Sequence, residues 1–194
     1  MTKGKDTKLT ILEAGLGMAS LVGLEQVTIG LLAKETSMSK SGLFAHFQSK
    51  ENLQIEILKL AADMFTHKVV VPALKSRSGI PRIKALVNYW IDWTAGMKGN
   101  CIFVSASNEF SDRPGKVRDY LLAQQREWND SLEKVAMSAV REGEFREDMD
   151  MEQFAFDLYS LLLGFHYYDR LLRDSGTKKR QETALENLLE KYKM

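Results

Sequence analysis

Residues 23–53 read GLEQVTIGLLAKETSMSKSGLFAHFQSKENL. Thr28 precedes a short apolar-periodic run, Ile29 to Thr36, and its hydroxyl suits the N-cap of a helix. Ser37-Met38 makes a tight break. Ser39 can cap a third helix ending near Phe47, and Ser49 a fourth. Two short helices joined by a three- or four-residue break describe a helix-turn-helix. Ala33 is small enough for the two to cross closely, while Leu32 and Leu43 can meet between them.

The helix 39–47 then keeps little apolar surface to bury, which suits an element laid in a DNA major groove. Capped helix N-termini offer backbone N–H donors to phosphates. Lys40 and Lys50 add charge; Thr28, Ser41 and His46 add hydrogen bonds. The charge is sparse: residues 1–53 carry six lysines against five acidic residues, and the whole chain has a net charge of +1. A DNA contact here depends on where charges are placed, not on how many there are.

Outward from this stretch, a period of 3.6 runs almost throughout. Leu9, Leu12, Leu16 and Ala19 form the stripe of a first helix that Gly23 stops. Helix 50–74 carries Leu53, Ile57, Leu60, Met64 and Val71 on one side, with Ile55, Leu58, Ala62, Phe65 and Val69 nearly opposite. Apolar on two faces, it reads as a connector sandwiched between two structures. SRSGIPR (76–82) is a turn, followed by helices over 82–97 and 101–110. Ser111 or Asp112 is placed to cap a long helix over 114–142, and helices over 151–174 and 177–193 complete the chain. The spacing predicts an all-α fold with no competing strand pattern.

Hydrophobic residues make up 44% of the 194 and charged residues 27%, as in soluble globular proteins. No apolar run approaches the roughly 18 residues of a membrane span, and MTKGKDTKLT has no apolar core of a secretory signal. A cytoplasmic protein is expected. A single cysteine, Cys101, excludes an internal disulfide and reads as a small buried hydrophobe, or as a thiol sensor activated by nearby Lys98. Three scattered histidines give no metal-ligand spacing, no constellation suggests an enzyme, and no cofactor is expected.

The stretch 23–53 resembles the DNA-binding signature of TetR-family transcriptional regulators. The match lies in Gly23-x4-Thr28, Leu32-Ala33, Ser37-Met38-Ser39, Leu43-Phe44, His46-Phe47 and Ser49-Lys50-Glu51. The resemblance implies about nine helices, a homodimer on palindromic double-stranded DNA, and a C-terminal domain that binds a small effector. It divides the chain into a helix-turn-helix domain, 1–49, and an effector and dimerisation domain, 50–194, with 50–74 as connector. Ser39 and Gly42 open the helix that, with Thr28, Lys40, Ser41, Phe44, His46 and Lys50, it places at the DNA. Three positions depart from the family pattern. Ser37 stands where glycine is usual, Phe44 replaces a common tyrosine, and Gly30-Leu31 sit where a basic residue is common.

The tryptophans all lie beyond residue 89. Each large aromatic taken singly is ordinary core, but together they leave gaps that a small apolar or aromatic molecule can fill. Trp90, Trp93, Phe103, Phe110, Trp128, Tyr159 and His166 are the candidate pocket lining. The run Phe154 to Phe165 is apolar around most of its circumference, so one face can serve its own core and another a partner. Leu158, Leu161, Leu162 and Phe165, with Leu185, Leu188 and Leu189, are the candidate dimer interface, and Gly164 allows close approach. Together with the resemblance, which implies the effector and the operator, these features lead us to expect a repressor released from its operator by an effector through the 50–74 connector. The competing reading is a helical small-molecule-binding module whose N-terminal tri-helix does not bind DNA.

Overall fold

The computed structural model describes residues 3–194, with side chains from residue 7 onward; the first two residues of the expected 1–49 domain lie outside it. The described residues form helices joined by loops, with one isolated bridge between Phe145 and Lys193: α1 (Lys3–Val22), α2 (Ile29–Glu35), α3 (Lys40–Phe47), α4 (Lys50–Phe65), a π segment (Thr66–Val70), α5 (Val71–Leu74), α6 (Ile80–Ala95), α7 (Ile102–Phe110), α8 (Lys116–Arg141), α9 (Met151–Arg170) and α10 (Thr177–Tyr192). The run 50–74 is unbroken, so nine helical runs result. The domain limit expected at 49/50 follows the chain, whereas packing groups residues 1–65 with 96–124, and residues 66–95 with 125–194.

In the first unit, α1 packs on α2, α4 and α7. Its buried face is Ile11, Leu12, Leu16 and Ala19; Leu9, expected in that stripe, is exposed and Ile11 takes its place. Leu24, Val27, Leu32, Leu43, Leu53, Ile57 and Leu58 complete a core with almost no solvent access. The α6–α7 loop reaches the end of α1, where the Asn100 N–H donates to the Ser20 carbonyl at 2.8 Å. Gly99 makes this approach possible, since a Cβ there would lie 1.9 Å from the Ser20 oxygen.

The second unit packs α6 against the π segment, α5 and α9, and α9 against α10. Phe145, Phe154 and Tyr192 form an aromatic triangle with ring centroids 5.3–6.2 Å apart. The Arg146 N–H donates to the Tyr192 carbonyl beside it, tying the α8–α9 loop to the end of α10. On the 50–74 run, Val69 of the second face is buried with Ala73, but Val71 is exposed, so the first apolar face is shorter than the sequence pattern suggests.

Helix ends follow the chemistry of local caps. Thr28 Oγ1 accepts the Leu31 N–H, Ser39 Oγ the Gly42 N–H and Ser49 Oγ the Asn52 N–H, each at 3.1 Å. Neither Ser111 nor Asp112 caps α8. The helix begins later, at Lys116, and the Gly115 carbonyl accepts the Asp119 N–H. The reason is Gly115 itself, whose φ of 144° turns the chain only after Pro114.

The break between α2 and α3 is a Schellman closure. Met38 N–H returns to the Ala33 carbonyl and Ser37 N–H to that of Lys34. Ser37 occupies the left-handed position, with φ 54°, where a Cβ costs ~1–2 kcal/mol. Glycine would relieve that strain but carry more entropy in the unfolded chain, which offsets roughly 0.5–1 kcal/mol. Ser37→Gly is therefore expected to stabilise by about 0.5–1 kcal/mol in urea unfolding, and Ser37→Val to destabilise. A loss of stability on Ser37→Gly would refute the strain argument.

Candidate nucleic-acid interface

Helix α3 has only eight residues, too few to persist alone in water. It holds its place because Leu43 and Phe47, one turn apart, are buried at 0% and 2% exposure. The rest of it faces outward: Lys40, Ser41, Phe44, Ala45 and His46 are all exposed. Phe44 leaves 54% of its surface in solvent, although a phenyl ring gains most from burial. Ser41 Oγ stands 3.3 Å from the Ser39 hydroxyl, and Lys40 Cε lies 3.9 Å from where a Gly30 Cβ would be. The missing side chain at residue 30 thus leaves room for the Lys40 stem beside the start of α2.

Lys50, at the first turn of α4, is engaged. Its Nζ lies 2.8 Å from Glu25 Oε1, and Arg113 Nη1 lies 3.6 Å from the same oxygen. The Lys50 hydrogen bond, helped by the charges of Lys50 and Arg113, holds the Glu25 carboxyl below the usual carboxylate range despite partial burial. These groups line a shallow cavity of about 220 Å³ with Gln54, Phe110 and Arg118. Sequence reading missed Glu25 as a functional residue, because only the fold brings it beside Lys50.

The aromatic candidates separate between the units. Phe103 and Phe110 belong to the first, on α7. Trp90, Trp93, Trp128, Tyr159 and His166 belong to the second, with Trp90 edge-on to His166 and Trp128 edge-on to Tyr159, each at 6.4 Å. Tyr159 donates its hydroxyl to Gln125 Oε1 at 2.7 Å. His166 is buried and its Nδ1 has no hydrogen-bond partner. Burial, with the Arg170 charge adding and Asp169 opposing, pushes the imidazole below its ordinary range, so it is uncharged at neutral pH.

The candidate interface leucines are used inside the chain. Leu158, Leu162, Phe165, Leu185, Leu188 and Leu189 are buried between α9, α10 and their own core, and Leu161 is half-buried. Within one chain they leave little surface in solvent, Leu161 the most among them. The large apolar and aromatic residues of α9 most exposed to solvent are Phe156, Leu163, Tyr167 and Tyr168, with Leu171 just past its end.

Two family models match the chain: the tetR family of bacterial regulatory proteins over residues 11–57, and the tetracyclin repressor-like C-terminal domain over residues 79–185. The chain belongs to the TetR family of transcriptional regulators. Its members are DNA-binding regulators, not enzymes. No curated protein sequence matches it. Among solved structures, a TetR-family regulator from Cytophaga hutchinsonii superposes with a TM-score of 0.86 at 17% identity, covering 100% of this chain and 98% of that one. A TetR regulator from Chloroflexus aurantiacus gives 0.85 at 20% identity over 98% and 96%. AibR, solved with isovaleryl coenzyme A and operator DNA, gives 0.70 at 22% identity over 94% and 96%. Likeness at these identities concerns the fold.

As a TetR-family regulator, the chain has unequal cations on its reading head. Lys40 is exposed, whereas Lys50 is already paired with Glu25 at 2.8 Å. Lys40→Ala is expected to lower the salt slope of DNA binding by about one unit, and Lys50→Ala by clearly less. Glu25→Gln, which frees Lys50 and removes a repelling charge, should tighten binding to every sequence and steepen the slope. Fluorescence anisotropy of labelled duplexes at several salt concentrations measures all three. Unchanged affinity in the double variant Lys40→Ala/Lys50→Ala would place the DNA on another surface.

Proposed function

We propose that this protein is a dimeric repressor that binds a palindromic operator and leaves it when a small apolar or aromatic effector binds the second unit. The observation that carries this reading is the asymmetry of α3. Two side chains fix it in the core, while five others, including an unburied phenyl ring, face solvent. Thr28, Ser39, Lys40, Ser41, Gly42, Phe44, His46 and Lys50 are the proposed DNA contacts. Such a regulator acts in the cytoplasm, where its operator is; among the described residues no helix is long and apolar enough to cross a membrane.

The effector is proposed to sit among Trp90, Trp93, Trp128, Tyr159 and His166. The uncharged imidazole with its unpartnered Nδ1 favours a ligand that presents one hydrogen-bonding group on an apolar body. AibR, of the same fold, was solved with both a ligand and operator DNA, which supports one chain serving both roles. The chain passes between units inside two helical runs, at Phe65 to Thr66 and at Gln124 to Gln125. The first crossing enters a π segment, an irregularity frequent at functional sites. A typical coupling of ~1–3 kcal/mol shifts operator affinity five- to about 150-fold.

Binding to the DNA upstream of its own coding region, with and without a metabolite mixture, tests this reading. Once an effector is found, tryptophan fluorescence titrations of the free protein and of the operator complex must differ by the same factor by which effector weakens DNA binding. Equal ligand affinities in both would rule out coupling. Undetectable DNA binding at low salt alongside tight ligand binding would favour the ligand-binding module instead.

The dimer is proposed to form on the solvent side of α9. Phe156, Leu163 and Tyr167 make a ridge there. On one flank lies a groove of about 370 Å³ lined by Glu133, Ala155 and Ser160, and on the other a groove of about 310 Å³ lined by Leu161, Tyr168 and Ala184. A Cβ at Gly164 would meet nothing within 4 Å, so the backbone lies bare beside the ridge. A ridge beside grooves on one helix is self-complementary under a two-fold axis. Wild type should sediment as a dimer at micromolar concentration, and Phe156→Asp or Leu163→Asp as a folded monomer with greatly weakened operator binding. A monomeric wild type would overturn the assignment.

A further inference from the structure

The structure assigns to Glu109 the role of a positioning residue for DNA reading: its carboxylate fixes the loop that leads into the helix-turn-helix. This inference rests on the DNA-binding reading above. Glu109 lies in the last turn of α7, 85 residues along the chain from Leu24, whose N–H donates to its Oε1 at 3.2 Å. The next N–H, that of Glu25, donates to Oε2 at 2.7 Å. Two consecutive backbone donors therefore converge on one carboxylate, a concave pair of the kind that holds anions.

Gly23 makes the convergence possible. Its φ of 90° is left-handed, and a Cβ there would lie 2.7 Å from Glu109 Oε1. Leu24 is consequently held on both sides of its backbone: its N–H by Glu109 of α7, and its carbonyl by Gln54 Nε2 of α4 at 2.9 Å. Its side chain is fully buried. Glu25 follows, and its side chain is the one that engages Lys50 and Arg113. Thr28, the cap of α2, comes only three residues later, so an error in the loop is carried directly into the helix-turn-helix.

A carboxylate with both oxygens accepting N–H groups is a charge-assisted fastening, stronger than a neutral one. None of these groups needs to touch DNA. Loss of the fastening is therefore expected to lower selective binding without lowering the non-specific, charge-driven part. That signature separates a positioning residue from a phosphate contact, whose removal weakens binding to all sequences.

The experiment uses the full chain and a duplex selected by the wild-type protein from a random pool. Glu109→Ala should lower affinity for the selected duplex by about ten-fold or more, a size typical of one mis-set base contact. Affinity for an unrelated duplex should not fall, and any loosening of Glu25 from Lys50 can only raise it and steepen the salt slope. Glu109→Gln, which keeps one acceptor oxygen, should fall between Glu109→Ala and wild type. Asp112→Ala, which removes an exposed carboxylate nearby, should behave as wild type. Hydrogen exchange at the Leu24 and Glu25 amides should accelerate by roughly ten-fold in Glu109→Ala, while the core amide of Ile57 keeps its protection. Selective binding that survives Glu109→Ala within about two-fold, or equal losses for both duplexes, would overturn the inference alone. A wild-type chain that enriches no sequence from the pool would overturn the DNA-binding reading on which it rests.

Discussion

The burial of Leu43 and Phe47 beneath α3 is the constraint on which the reading head depends. An eight-residue helix contributes at most a few backbone hydrogen bonds of its own, against the loss of backbone freedom of every residue it orders. Two side chains on one face supply what propensity cannot, roughly 1.5–3 kcal/mol each from burial. Because they lie four residues apart, they fix the rotation of α3 as well as its existence. Lys40, Ser41, Phe44 and His46 are then exposed by geometry, without needing a surface patch of their own.

The same economy governs α9. A helix apolar around most of its circumference must cover more than one face, and here two of its faces already have partners within the chain. Leu158, Leu162 and Phe165 complete the core with α10, while His166 meets Trp90 of α6. What remains outside is a narrow strip, Phe156 through Tyr167, bounded by grooves. The candidate dimer contact is therefore set by what the protomer does not use.

This is also where sequence legibility ends. The caps at Thr28, Ser39 and Ser49 could be read directly, because a hydroxyl and an N–H three residues on are joined by local geometry. Ser37 stood out only through the family resemblance, as a serine where glycine is usual, and its φ of 54° at the Schellman turn gives the reason. The apolar pattern of α9 was equally plain, but pattern alone does not distinguish a protomer's own core from a partner's, so Leu185, Leu188 and Leu189 were expected at the dimer contact. Exchanging Leu9 for Ile11 in the α1 stripe needs only a modest rotation of that helix, finer than a seven-residue period resolves. Glu109 left no local trace at all. A carboxylate that serves two amides 84 and 85 residues away resembles any exposed acid near a turn.

A reading head with so little net charge cannot rely on bulk attraction to DNA. Each phosphate contact contributes through the counterions it releases, so a few cations give a shallow salt dependence and weak non-specific binding. On the proposed DNA face one of the few cations is already paired, since Glu25 holds Lys50 and its N–H is held by Glu109. With the non-specific contribution small, affinity has to come from base contacts, and these are sensitive to angle and register in a way that phosphate attraction is not. A weakly charged head thus requires a rigidly placed one. The buried anchors under α3, the close approach at Gly99 and the two-amide clamp on Glu109 all act on that requirement.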